Sequence, residues 1–294
     1  MDFLTTREVA AYLRINEKKV YALLSEDQIP ATRVSGKWLF EKALIDRWMT
    51  EKTVYPATGL LGGLLNSVLI IQGSDDILLD SAINGIRDQL KISIAGIKVG
   101  SIGGLDALTT GRAHAAVFHL EAQDVPKALK KLPCYVIDLF KREQGFAFHP
   151  GHLLQCGTES VRELLKPGAR FASRQKNSGT WKLTEKVFKK ENVTIPDLTM
   201  VGPFSSHLGA ALAVMNRDAD ATITIRAASD ACGLDFIPIE FEEFRMVIHS
   251  DYFSHPNMRE FLDLLLLKLK ETNKKGAHGY TFASLGRLSA SMKD

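Results

Sequence analysis

The chain has 294 residues, 45% hydrophobic and 24% charged, with 37 Lys and Arg against 34 Asp and Glu. That length allows two or three domains with a substantial core, and the composition is that of an ordinary folded globular protein. A net charge of +3 does not by itself point to nucleic acid, and the three cysteines, Cys134, Cys156 and Cys232, lack paired spacing, which argues against a zinc site or a disulfide framework.

The first fifty residues follow a definite order. Thr5 or Thr6 caps a short helix with Val9, Ala10 and Leu13 on one face. A tight turn at Arg14-Ile15-Asn16 leads to a second helix, with Val20, Leu23 and Leu24 inward and Lys18, Lys19 and Tyr21 outward. Pro30 stops it. Two β-prone runs, Ala31–Val34 and Lys37–Phe40, flank a hairpin turn at Ser35-Gly36, and a last helix carries Leu44, Ile45 and Trp48. Helix, turn, helix and β-wing is the winged form of the helix-turn-helix, whose second helix enters the major groove. The Leu4-Thr5-Thr6 opening, Glu8-Val9-Ala10, Tyr12-Leu13, Val20-Tyr21, Ile29-Pro30, the wing Gly36-Lys37-Trp38 and Ile45-Asp46-Arg47-Trp48 resemble the excisionase-type, MerR-like winged-helix domains. The resemblance implies binding of double-stranded DNA through Lys18, Lys19, Tyr21, Arg33 and Lys37. Residues 1–50 hold eight Lys and Arg against seven Asp and Glu, a net +1, so non-specific phosphate affinity is expected to be modest.

Residues 51–65 read as a linker, with Pro56 and Gly59 and little periodicity. Residues 66–294 read as an α/β body. Strands are expected at Val68–Gln72, Ile92–Val99, Ala115–Phe118, Cys134–Leu139, Gly145–Phe148, Arg170–Ala172, Thr199–Val201, Ala221–Ile225, Asp235–Ile239 and Phe244–Ile248. Helices are expected at Leu78–Leu90, Leu105–Thr110, Val161–Leu165, Trp181–Lys190, Leu208–Asn216 and Met258–Lys270. Alternating strands and helices argue a parallel sheet with helical covers, arranged as two lobes with a cleft between them. Leu262–Leu267 is too short to cross a bilayer. Together with the absence of a basic-then-apolar leader, this sets the expectation of a cytoplasmic location.

Four strand-to-helix turns carry hydroxyls: Gly73-Ser74-Asp75-Asp76, Val99-Gly100-Ser101-Ile102-Gly103-Gly104, Arg174-Gln175-Lys176-Asn177-Ser178-Gly179-Thr180 and Ser205-Ser206-His207. Such turns aim backbone N–H groups and the positive helix end at one spot. Each serine taken singly is a helix cap first. Their joint occurrence at carboxyl ends of strands points to an anion held by neutral donors. Asp75 and Asp76 are expected to face solvent, because a carboxylate in the cleft repels an anion. No phosphate-binding Gly-x4-Gly-Lys-[Ser/Thr] loop is present.

These turns, together with Ala107-Leu108, His119-Leu120, Ala219-Asp220-Ala221, Gly233-Leu234-Asp235-Phe236-Ile237-Pro238 and Gly279-Tyr280, resemble the periplasmic-binding-protein-like domain found behind winged helices in bacterial regulators. That domain is related to molybdate- and tungstate-binding proteins. The resemblance implies a type II two-lobed fold closing on tungstate or molybdate, with contacts from Ser74, Ser101, Asn177, Ser178, Gly179, Thr180, His207 and Arg174. The chain departs from the pattern at Asn216-Arg217-Asp218-Ala219-Asp220, at Ala221-Thr222 and at Trp181.

His207 and His119 are read as ligand contacts or structural hydrogen bonders. Arg174 either faces the anion or pairs with a surface carboxylate. Tyr280 lines the cleft mouth or packs the closing helix, and Trp38 belongs to the wing core. The expected function is a ligand-responsive, dimeric transcription regulator with no cofactor, no metal site and no enzymatic activity. Two alternatives stand beside it. One is an excisionase-like DNA-bending factor whose body only dimerises. The other is an enzyme of molybdenum or tungsten cofactor metabolism, for which no nucleophile-base set is visible.

Overall fold

The computed structural model describes residues 2–52, 59–120, 129, 132–151, 161–176 and 178–292. The chain divides into two compact units, Met1–Pro56 and Ala57–Asp294.

The first unit contains β1 (Phe3–Thr5), α1 (Thr6–Tyr12), α2 (Glu17–Ser25), β2 (Thr32–Val34), β3 (Lys37–Glu41) and α3 (Lys42–Lys52). Thr5 is the cap of α1. Its hydroxyl accepts from Glu8 N at 3.3 Å while the Glu8 carboxylate accepts from Thr5 N at 2.8 Å, a reciprocal box that satisfies two helix-end donors. Arg14 turns the chain with φ 53°, and Asn16 caps α2 by accepting from Lys19 N at 2.8 Å. Ser35 and Gly36 both have positive φ, 49° and 84°, as a type I′ hairpin turn requires. The short β1, absent from the sequence reading, pairs antiparallel with β3 and completes a three-stranded sheet in the order β1-β3-β2. Val9, Ala10, Val20, Ile29, Phe40 and Ile45 form the core, with Leu23, Leu24, Trp38 and Trp48 packed around it. Trp38 thus lies at the wing core, with the Arg33 guanidinium 5.5 Å from its ring centre.

The segment expected as a linker is partly helical. α3 runs on to Lys52, and α4 occupies Gly59–Leu64. Leu61 and Leu65, one helical turn apart, are buried. The glycines around them hid this spacing. Residues 53–58 of that segment lie outside the described residues.

The second unit continues with β4 (Val68–Gly73), α5 (Ile77–Ile86), β5 (Ser93–Lys98), α6 (Gly100–Thr109), β6 (Ala115–Phe118), β7 (Cys134–Phe148), α7 (Val161–Leu164), β8 (Arg170–Arg174), α8 (Gly179–Glu191) and β9 (Thr199–Phe204). It ends with α9 (His207–Met215), β10 (Ala221–Ile225), α10 (Arg226–Ala231), β11 (Asp235–His249), α11 (Ser250–Phe253), α12 (Pro256–Lys275), β12 (Tyr280–Thr281) and β13 (Leu288–Met292). One curled sheet runs in the order β5-β4-β6-β11-β7-β10-β8-β9, with β12 and β13 also on β7.

β7 and β11 hold the two lobes in one sheet. They are antiparallel partners along their length, from Cys134↔His249 to Phe148↔Asp235, so the sheet is mixed and not the parallel one expected, with parallel pairing kept within each lobe at β5-β4-β6 and β10-β8-β9. The first half of β7 and the second half of β11 belong to a lobe with β4, β5, β6 and the closing helix α12. Its core includes Leu69, Ile71, Phe140, Phe244, Met246, Phe261 and Leu265. The other halves belong to a lobe with β8, β9 and β10, built on Phe146, Phe171, Phe188 and Ile223. The sequence reading split each of these strands in two. The break falls on Lys141-Arg142-Glu143-Gln144 and Glu240-Phe241-Glu242-Glu243, where the strands cross beside a polar cleft and apolar alternation stops. No helix among the described residues is long and apolar enough to cross a membrane.

Candidate ligand site

The first lobe supplies a rigid floor. Gly73 has φ 142°, and a Cβ there would lie 2.0 Å from the Val117 carbonyl oxygen. Gly104 of α6 packs as closely on Gly73, its ideal Cβ falling 2.5 Å from the Gly73 Cα. Only glycine permits this approach. The Ser74 and Ser101 hydroxyls are consequently 2.7 Å apart, and Ser101 Oγ accepts from His119 N at 3.1 Å. Both serines are almost wholly buried.

Asp75 and Asp76 correct the sequence expectation. They do not face solvent: Asp75 is 7% exposed and Asp76 is 0% exposed. Asp76 caps α5 by accepting from Leu79 N at 2.8 Å, and also accepts from Arg142 Nη1 at 3.0 Å and Tyr280 Oη at 3.1 Å. Tyr280 therefore lines the cleft and is bonded there. Asp75 reaches across to the other lobe, where its Oδ2 accepts from His207 N at 2.7 Å. The carboxylate sits on the first N–H of α9, the kind of helix end that attracts anions. Compensation by guanidinium groups allows both acids to be buried.

Arg142, on β7 where the lobes join, is the hub. It is fully buried, donates to Asp75 O at 2.6 Å and to Glu242 Oε1 at 2.5 Å, and has its guanidinium 4.4 Å from the Phe244 ring centre. Burial pushes the Asp76 and Glu242 carboxyls up, opposed by the Arg142 charge. Arg142, Gln144 and Glu242 are absent from the sequence-predicted site. Their only signal was a charged interruption inside an apolar run.

The second lobe brings Arg174, Ser178, Gly179, Thr180 and His207. Arg174 is 6% exposed, donates to Ser205 O at 3.1 Å and lies 3.7 Å from Asp75. It therefore faces the cleft rather than a surface carboxylate, and burial lowers its pKa to about 10. Ser178 caps α8: its Oγ accepts from Trp181 N at 3.1 Å and donates to Gln175 O at 2.7 Å. Gly179 presses on the first lobe, since a Cβ there would lie 2.0 Å from His119 Nε2. His207 Nδ1 lies 3.2 Å from Thr224 Oγ1. Asn177 lies outside the described residues. The structure thus brings Ser74, Ser101, Arg174, Gly179 and His207 into one inter-lobe cluster, closed by Asp75 and His119.

Several polar atoms in this cluster are unmatched. Among the described residues, Arg174 Nε and Nη1, His119 Nε2, Thr180 Oγ1 and Gln144 Oε1 are buried and have no hydrogen-bond partner. The Arg174–Asp75 ion pair is too long to serve as a hydrogen bond. His119 Nδ1 accepts from Arg142 Nη2 at 3.2 Å, which places the ring hydrogen on Nε2. Burial, then the nearby Arg142, Arg174 and Lys182 charges, hold His119 well below the usual histidine range. His207 is held down in the same way by burial, Arg174, Arg142 and His119. His119 stands 3.4 Å from Ser101 Oγ and 3.6 Å from Glu242 Oε2. This grouping has the elements of a serine-histidine-acid set. However, the His119 lone pair is already engaged by a guanidinium N–H, so the ring has no free lone pair to remove a proton from Ser101. Among the described residues there is also no group of three or more His, Cys, Asp or Glu able to hold a metal ion.

In the first unit, Lys18, Lys19 and Tyr21 on α2 and Arg33 and Lys37 on the wing are all exposed. None of these four cations forms an ion pair within the described residues.

Residues 3–53 match the helix-turn-helix domain family, and residues 86–266 match the PBP superfamily domain family. The chain is 23% identical over 266 residues to the uncharacterized protein YvgK of Bacillus subtilis, covering 83% of this chain and 84% of that one. Two solved structures share the body's fold. The regulatory domain of MetR, a LysR family regulator from N. meningitidis, has a TM-score of 0.53 at 13% identity over 74% of this chain and 98% of that one. The tungstate ABC transporter structure from Geobacter sulfurreducens has a TM-score of 0.53 at 15% identity over 71% of this chain and 99% of that one. The molecule is an N-terminal helix-turn-helix domain followed by a two-lobed α/β body, and by that body the chain belongs to the PBP superfamily domain family.

Proposed function

We propose that the chain is a ligand-responsive DNA-binding regulator, in which a small oxygen-rich anion binds between the lobes of the body. The observation that carries this reading is the set of buried donors without acceptors, Arg174 Nε and Nη1, His119 Nε2 and Thr180 Oγ1. A buried donor left unmade costs about 1–3 kcal/mol, so a cluster of them favours an acceptor brought from outside. Tungstate and molybdate are anions that offer only acceptor oxygens, and the tungstate transporter among the fold neighbours supports titrating them first. Ser74, Ser101 and the backbone N–H groups of Gly179 and Thr180 are proposed contacts, as is His207. The Ser178 hydroxyl and backbone N–H are both given to Gln175 O, at 2.7 and 2.9 Å, which leaves the backbone N–H groups of Gly179 and Thr180 as the proposed donors of that turn.

The helix-turn-helix unit is proposed to bind duplex DNA through Lys18, Lys19, Tyr21, Arg33 and Lys37. A net charge of +1 over residues 1–50 offers few phosphate contacts, so two heads in a homodimer are proposed on a near-palindromic site. The accessory-factor alternative draws on the Asp75–His207 bond, which joins the lobes without a ligand. The unmatched donors weigh against it, because a purely structural interface bonds such groups.

The test is reciprocity. Duplexes are selected from a random pool by the full chain, and the tungstate and molybdate dissociation constants are measured with and without the selected duplex. Constants that differ by the same factor as the DNA constants with and without anion support the regulator. Anion binding that is indifferent to DNA removes it in favour of the accessory factor.

A further inference from the structure

We infer that the effector is a hydroxylated organic acid with a single negative charge, its carboxylate on the Arg174 and Thr180 donors and its body in the cavity beside His119. This rests on the anion-cleft reading above and narrows it.

The first observation is charge. Arg142 is met by Asp76 at 3.0 Å and by Glu242 at 2.5 Å, and Arg174 by Asp75 at 3.7 Å. Lys98 lies 3.9 Å from Asp75 and also pairs with Asp80; these four carboxylates against three cations leave a formal balance of −1, and His119 and His207 are held neutral by burial. Uncompensated charge is most costly where the dielectric is low. A tetrahedral dianion adds two negative charges to this cluster, whereas a monocarboxylate adds one.

The second is the hydrogen-bond complement. Four of the unmatched atoms are donors, but Gln144 Oε1 is an acceptor. The Gln144 amide favours the charged form of the Glu242 carboxylate, the effect of an NH2 turned toward it. A carboxylate satisfies the donors. Only an O–H or N–H on the ligand satisfies Gln144, and tungstate and molybdate carry neither.

The third is room. A cavity of about 460 Å³ opens between the end of β6, the crossing strands and α8, lined among others by His119, Gly179, Lys182, Phe241 and Glu242. This is the size of pockets that hold organic ligands, about 300–1,000 Å³, and far exceeds one tetrahedral ion. His119 Nε2 lies against both Gly179 and Glu242, at 2.0 Å from an ideal Gly179 Cβ and 3.6 Å from Glu242 Oε2. That unmatched atom therefore stands where the cavity meets the cleft. Gly179 and Thr180 are consecutive, so donors and cavity adjoin along the first turn of α8. Lys182, on the same turn, has no carboxylate partner among the described residues.

Calorimetry on the full chain with gluconate, hexanoate and tungstate tests the inference. Gluconate and hexanoate share a carboxylate and a six-carbon chain, and only gluconate has hydroxyls. Gluconate is expected to bind at least tenfold more tightly than either. Gln144→Met is expected to lower gluconate affinity about tenfold and leave hexanoate unchanged, with thermal melting used to check folding. Lys182→Met, at an exposed position, is expected to weaken gluconate two- to fivefold and serves if Gln144→Met fails to fold. Tungstate binding as tightly as gluconate, or hexanoate matching gluconate in the parent chain, overturns the inference and leaves the anion cleft standing. If none of the three binds the parent, the anion-cleft reading falls as well.

Discussion

The two units use positive charge in opposite ways. In the head, Lys18, Lys19, Arg33 and Lys37 are exposed and stand outside any ion pair within the described residues. In the body, Arg142 is wholly buried between Asp76 and Glu242, and Arg174 is 6% exposed beside Asp75. Hydrated surface cations suit a polyanion and give binding that falls steeply with salt. Buried cations with fixed partners suit one small ligand, because each added charge or donor is felt at close range. The contrast separates a surface whose affinity depends on ionic strength from a cleft whose specificity depends on local compensation.

The largest expected effect tests the buried side. Arg142→Leu leaves Asp76 and Glu242 without their shared guanidinium and removes the donor to Asp75 O. Breaking a buried ion pair by removing one partner costs about 3–5 kcal/mol. Urea unfolding of the full chain should show a loss of that size in the body while the head's helical transition holds. A loss below about 1 kcal/mol, the range of exposed ion pairs, would mean that Arg142 is no hub.

The next effect tests the exposed side. Each phosphate contact contributes about 0.9 to the slope of log affinity against log salt. Lys18→Ala with Lys19→Ala should therefore lower that slope by about 2 on selected DNA, with the body's melting temperature unchanged. An unchanged slope would remove both lysines from the DNA surface. Arg174→Gln is the complementary case: anion binding should weaken more than tenfold while the salt slope for DNA stays as in the parent.

A smaller effect concerns the frame that holds those lysines. Thr5 and Glu8 form the reciprocal cap of α1, and losing such a cap costs about 1 kcal/mol. Thr5→Ala should destabilise the head by about that amount, read from denaturation of the head's helices. No change would mean that β1, through its pairing with β3, alone fixes the start of α1.

Much of this architecture is legible in the sequence, for identifiable reasons. The head's caps, turn residues and apolar spacing are local signals, so Thr5, Asn16 and Ser35-Gly36 can be read directly. The lobes are legible because their strands are apolar and bounded by helix-capping turns. The crossing strands are not, because residues such as Arg142 and Glu242 are polar for the sake of partners distant in sequence. Arg142 lies 66 positions from Asp76 and 100 from Glu242. The inward direction of Asp75 was hidden for the same reason: its acceptor role depends on His207 N, 132 positions away. Ser74, Ser101 and Thr180 were visible because hydroxyls at strand-to-helix turns form a local pattern. That local pattern does not show that the Ser178 hydroxyl is spent on its own turn.

The smallest expected effect comes from pH, and it separates the units once more. Residues 1–50 contain no histidine, whereas His114, His119, His207 and His255 of the body are all buried and held below the usual histidine value of 6.5. Below pH 6.5 the unfolded chain takes up protons at these sites while the folded body does not, so stability falls as the pH drops from there toward the lower folded values. Asp76 and Glu242 act in the opposite direction, because burial raises their folded values and the native state takes up protons first as the pH falls. His114 stands apart from that hub and isolates the histidine contribution. Its Nδ1 accepts from Ile70 N at 2.8 Å, and its Nε2 lies 2.8 Å from Leu61 O. Only the neutral ring meets both groups, since protonation turns Nδ1 into a donor facing another donor. His114→Asn cannot take up a proton in this range. Its melting temperature should therefore fall less than the parent's between pH 7 and pH 5, even where the variant is less stable at pH 7. Equal falls in the two proteins would take His114 out of the acid response and leave it to the histidines of the cleft.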